Sequence, residues 1–92
     1  MTEELDLLGL LIGKIEDEII QCKDSLKYAK HDIKRLEKSK ADVLETGIDE
    51  YVFDEKIKYI SEIKEKLEKR INVLKKIKYR LVVAERMIKS LE

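Results

Sequence analysis

Lysine is the residue type that gives this chain most of its chemical capacity. Lys23, Lys27, Lys30, Lys34 and Lys38 recur at steps of three and four, so a helix would line them along one side. Lys66, Lys69, Arg70, Lys76 and Arg80 form a second basic set. Cations arrayed in this way are possible phosphate contacts, and each neutralised phosphate would release counterions and steepen the salt dependence of binding. Specific nucleic-acid readers favour arginine and aromatic platforms, whereas this chain has four Arg and no aromatic cluster among its lysines. No helix-turn-helix, zinc-finger or RNA-binding motif is present. The favoured expectation is a solvated lysine-rich face interlaced with i to i+4 pairs such as Glu62–Lys66 and Glu65–Lys69. Nucleic acid is the next alternative, and an acidic protein partner, including the acidic segment of another copy, is the third.

The other reactive side chains are poorly placed for chemistry. His31 stands beside Asp32 with Arg35 at i+4, where a second metal ligand would be needed. Ser25, Ser39, Ser61 and Ser90 have no base within helical reach to form a nucleophile relay. Glu16 and Asp17, or Asp54 and Glu55, are sequence neighbours on diverging helix faces, which suits solvation and not acid–base work. Tyr28, Tyr51, Tyr59 and Tyr79 fit packing beside a core better than stacking platforms. Cys22 is the single cysteine, which excludes an internal disulfide and fits a small buried hydrophobe in a reducing setting. Neither cofactor nor metal is expected. Small all-helical chorismate mutases are of similar length, but their sites need an arginine early in the first helix. Here the first is Arg35, and the early positions hold Leu11, Gly13 and Lys14. The likeness stops at length and helicity, leaving a small all-helical enzyme as a remote alternative.

Composition points to an all-helical chain, either a hairpin or, if the helix continued through residues 46–49, a parallel coiled-coil dimer of straight chains. The 92 residues include no proline, no tryptophan and three glycines, which removes the turn residues a sheet protein requires. Charged residues make up 43% of the chain, a bias shared by heat-adapted proteins and by AT-rich genomes. The apolar run from Leu7 to Ile12 is far short of the ~20 residues of a membrane span. Glu3, Glu4 and Asp6 precede it where a signal peptide would carry lysines. The expectation is a soluble, cytoplasmic chain that does not engage membranes.

The elements that position these residues are two long helices. Leu5, Leu8, Ile12, Ile15, Ile19, Cys22, Leu26, Ala29, Ile33, Leu36 and Val43 form a seam at alternating three- and four-residue steps, broken only at Lys40. Helix 1 is expected over about 3–45, with Thr2 as its cap, a turn over 46–49, and helix 2 over about 50–90. Gly47 suits the left-handed residue after a helix, and Asp49 can cap the next. Ile48 and Phe53 stand at the spacing of a hydrophobic staple. In helix 2, Phe53, Ile60, Leu67, Leu74, Leu81 and Ile88 keep a strict seven. The second core position is expected to alternate between Ile57 and Ile71 on one side and Ile63, Ile77, Ala84 and Leu91 on the other, with Lys64 and Lys78 at the skipped places. The fold class is therefore all-α, a single antiparallel two-helix hairpin in which residues whose numbers sum to about 96 lie opposite each other.

Closing the hairpin sorts the chain into zones. Residues 23–40 hold seven bases and three acids, residues 56–80 hold ten bases and three acids, and residues 41–55 hold six acids and no base. At the end away from the turn, the helices are apolar beyond one stripe. Leu7, Leu8, Leu10, Leu11 and Ile12 would meet Tyr79, Val82, Val83, Met87 and Ile88 there. Gly9 and Gly13 would admit a close neighbour. Surplus apolar surface of this kind marks an interface. The sequence therefore predicts a non-enzymatic interaction or assembly module, a homodimer joined at these ends as a four-helix bundle, with a further protein partner left open.

Overall fold

In the computed structural model, which describes residues 2–44 and 50–91, the chain forms two helices packed against each other as a hairpin. Helix α1 is Thr2–Leu44 and helix α2 is Tyr51–Leu91. No strand occurs among the described residues. The helix expected from Glu3 begins at Thr2, the residue assigned to the cap. Glu45 and the turn features at Thr46, Gly47, Ile48 and Asp49 lie outside the described residues. At the start of α2 the Asp54 amide donates to the Glu50 carbonyl at 3.0 Å. Glu3 and Glu4 at the start of α1, and Lys89 at the end of α2, complement the helix dipoles.

The seam of α1 is the buried face of the helix. Ile19, Cys22 and Ala29 are buried, and Leu5, Leu8, Ile12, Ile15, Leu26, Ile33, Leu36, Lys40 and Val43 are half-buried. In α2, Ile71 and Leu74 are buried, and Phe53, Ile57, Ile60, Lys64, Leu67, Lys78, Leu81, Glu85 and Ile88 are half-buried. These residues form one unbroken alternation of four- and three-residue steps.

That alternation corrects the sequence expectation for α2. Ile63 and Ile77 are 36% and 39% exposed, and Leu91 is 76% exposed, so these three are not the second core position. Lys64, Lys78 and Glu85 hold those places instead. A seam facing a single partner helix must continue straight, whereas a detour to residues 63 and 77 would rotate α2 by about 100° at each step. The lysines tolerate the seam because their stems pack while their ammonium groups reach water or a carboxylate. Lys78 Nζ lies 3.2 Å from Glu16, and Lys64 Nζ lies 3.9 Å from Glu68. Lys40, the break in the α1 seam, bonds Asp54 and lies 3.9 Å from Glu50. The hydrogen bond to Asp54 raises the Lys40 pKa against the opposing effect of desolvation.

The chain divides into two compact units. One comprises residues Met1–Lys23 with Lys69–Glu92, and the other Asp24–Glu68. In the first, the cross-helix ion pairs Lys78–Glu16 and Arg70–Glu18 have numbers summing to 94 and 88. In the second, Lys40–Asp54 and Lys40–Glu50 sum to 94 and 90. The observed register is therefore offset by a few residues from the expected sum of 96. Side chains of a helix lean towards its N-terminus, which spreads ion-pair partners around the backbone register.

Candidate functional site

A hairpin has two flanks where its helices adjoin, and in the first unit these differ in chemistry. Arg70 Nη2 lies 3.5 Å from Glu18 Oε2, which marks one flank. Residues at heptad spacing from that pair share the flank: Leu11 and Glu4 on α1, and Ile77, Ala84 and Leu91 on α2. Leu7 is one turn from Leu11, Leu10 is one turn from Leu7 towards the outer face of α1, and Val73 and Met87 are each one turn from Ile77 or Ala84. Leu7, Leu10, Met87 and Leu91 are 64%, 59%, 64% and 76% exposed, and Leu11 and Val73 are also exposed. The hairpin seam is complete without them. They form a second apolar stripe turned to solvent.

The opposite flank is marked by Lys78 and Glu16 at 3.2 Å. It carries Lys23, Lys75 and Lys89 at heptad spacing, together with Gly9, Val82 and, farther out, Gly13, Ile20 and Tyr79. A Cβ built on Gly9 or Gly13 meets nothing within 4 Å, so no neighbour within the chain uses the space these glycines leave.

The expected interface residues thus fall into three groups. Leu8, Ile12 and Ile88 belong to the hairpin's own seam and are half-buried there. Leu7, Leu10, Leu11 and Met87 are exposed on or beside the Glu18–Arg70 flank. Tyr79 is exposed and Val82 half-buried towards the other flank, while Val83 is half-buried on the outer side of α2. Sequence reasoning missed Val73, and it gave Ile77 and Leu91 to the core. Their signal was present as the run Val73, Ile77, Ala84, Met87 and Leu91, a second seam at three- and four-residue steps interrupted at Arg80.

The basic residues do not form one surface. In the second unit a shallow groove of about 450 Å³ lies between Asp32, Arg35 and Leu36 of α1 and Glu55, Lys56, Tyr59 and Ile60 of α2. Lys66 is one heptad from Tyr59 and shares that side, whereas Lys27, Lys30 and Lys34 occupy the far side of α1 and Lys38 points outward. Lys27, Lys30, Lys34 and Lys38 are exposed, and no described carboxylate comes within 4 Å of them. In the first unit Arg70 is paired with Glu18, Arg80 lies on the same side of α2, Lys69 and Lys76 point outward, and Lys23 lies on the other flank. The pairs expected at Glu62–Lys66 and Glu65–Lys69 are replaced by Lys64–Glu68 at 3.9 Å.

The remaining reactive groups stay apart. His31 is exposed in a surface groove with Asp24, Lys27 and Tyr28. Cys22 is buried in the seam. The described residues contain no group of three or more His, Cys, Asp or Glu able to hold a metal ion. Their helices include none long and apolar enough to cross a membrane. Comparison with known proteins yields no matching family model, no similar curated protein and no similar solved structure.

Proposed function

We propose that the protein is a non-enzymatic assembly module whose partner is a second copy of itself, joined through the flank marked by Glu18 and Arg70. The observation that carries this reading is the second apolar stripe, which is left in water after the hairpin has satisfied its own seam. Two hairpins sharing the apolar flank make a four-helix bundle and remove the exposed stripe. Sedimentation equilibrium of the wild type and of Ile77→Glu tests the reading: a dimer that shifts towards monomer is expected, and a monomeric wild type overturns it.

A second reading rests on the unpaired lysines of the second unit. Lys27, Lys30, Lys34 and Lys38 present four cations on one helix, preceded by Asp24 and interspersed with Asp32 and Glu37, and such a stripe suits a phosphate backbone. Binding to duplex DNA at low salt is its test, and no binding there ends it.

A further inference from the structure

Self-association through the Glu18–Arg70 flank leaves two ways to stack the hairpins. The partner's α1 covers either α2 or α1. The charges of the first unit differ sharply between its two helices. Residues 1–23 carry six acids and two bases, whereas residues 69–91 carry eight bases and one acid. Around the apolar stripe the contrast is retained. Glu4 and Glu18 lie along the stripe on α1 with Glu3 and Asp17 on the outer face beyond them, and Lys14 is the one base among them. Arg70 and Arg80 lie along the stripe on α2 with Lys69 and Lys76 on the outer face beyond them, and the one acid of that segment, Glu85, is in the seam.

Resting on the self-association reading, we infer that the occupant of this flank is the second copy seated with its α2 on α1 and its α1 on α2, about a two-fold axis parallel to the helices. Every adjacent pair of helices in the first unit of such an assembly unites an acidic segment with a basic one. Apolar side chains meet in the same step: Leu7 and Leu11 of each copy cover Ile77, Ala84 and Met87 of the other. The alternative axis, perpendicular to the helices and passing through the first unit, stacks acidic α1 on acidic α1 and basic α2 on basic α2. Like charges at these separations oppose association, so the pattern both selects one arrangement and disfavours the other. The axis parallel to the helices also keeps the hairpin's own register, so Leu7 comes to the level of Met87 in the partner.

Disulfide trapping reads the arrangement directly. Full-length copies carrying Cys22→Ala with either Leu7→Cys or Met87→Cys are mixed in denaturant, refolded together and oxidised. The mixed Leu7–Met87 disulfide is expected in at least tenfold excess over either symmetric product. Predominance of the two symmetric disulfides overturns the inference while leaving self-association intact. Charge reversal gives a second readout. A copy with Asp17→Lys and Glu18→Lys, and a copy with Lys76→Glu and Arg80→Glu, should each self-associate at least tenfold more weakly than wild type, and their equimolar mixture should recover the dimer. Unchanged self-association of the two separate copies overturns the inference. A monomeric wild type overturns the self-association reading itself.

Discussion

Glu18 and Arg70 lie 3.5 Å apart across the hairpin, and both side chains remain about half or more exposed. Their pair identifies the flank on which Leu11 and Ile77, one heptad away on either helix, stand in water. A surface pair of this kind adds little stability of its own, on the order of 0.2–1 kcal/mol. A double-mutant cycle with Glu18→Gln and Arg70→Gln, read by urea unfolding, should give a coupling inside that range. A coupling above about 2 kcal/mol would mean that the pair is shielded from water and that the flank is not open as described.

The seam of α2 predicts a contrast between neighbouring isoleucines. Ile71→Ala removes a buried side chain and should cost about 2–5 kcal/mol. Ile63→Ala, at a partly exposed position, should cost about 1 kcal/mol or less. Urea midpoints of the two variants check this, and equal losses would restore Ile63 to the core.

Lys40 predicts the alkaline behaviour. Its pKa is raised by the hydrogen bond to Asp54, so the folded chain holds this proton more tightly than the unfolded chain. Stability from the pair is therefore complete below the ordinary lysine value of about 10.4 and is lost as pH rises through the raised one. The difference in stability between wild type and Lys40→Met should stay level from about pH 7 to about pH 9 and shrink above that. A difference that persists unchanged to about pH 12 would assign the effect of Lys40 to its stem rather than its charge.

Lys78 is a charged residue in an apolar seam, half-buried and paired with Glu16. Lys78→Leu should raise the urea midpoint, because a leucine completes the seam without desolvating a cation. The same change should broaden the mass distribution in light scattering, since a polar seam residue restricts register and partner number. A single sharp species with no gain in stability would contradict both expectations.

The unpaired lysines predict a salt signature if phosphates are bound. Replacing Lys27, Lys30, Lys34 and Lys38 by Gln should lower the slope of log K against log salt for duplex DNA by about 0.9 for each phosphate no longer neutralised. Fluorescence anisotropy at several salt concentrations measures it, and an unchanged slope would remove these lysines from any phosphate contact.

The α1 seam from Leu5 to Val43, the absence of proline and the length of the apolar rhythm were enough to define two long paired helices, because helical periodicity is written residue by residue into a single chain. The second helix was less legible. Residues 57, 64, 71, 78 and 85 compete with residues 63, 77, 84 and 91 for the same role, and one set contains two lysines and a glutamate. Hydropathy alone favours the more apolar set at 63 and 77. Tertiary structure decided otherwise: a helix with one partner must keep a straight seam, and the stem of a lysine can lie in that seam while its charge reaches Glu16 or Glu68. The flank on which Leu11 joins Ile77 was likewise beyond the sequence, because the side each residue takes depends on how the two helices rotate against each other. Periodicity specifies which residues of one helix share a face, and only packing specifies which faces of two helices meet.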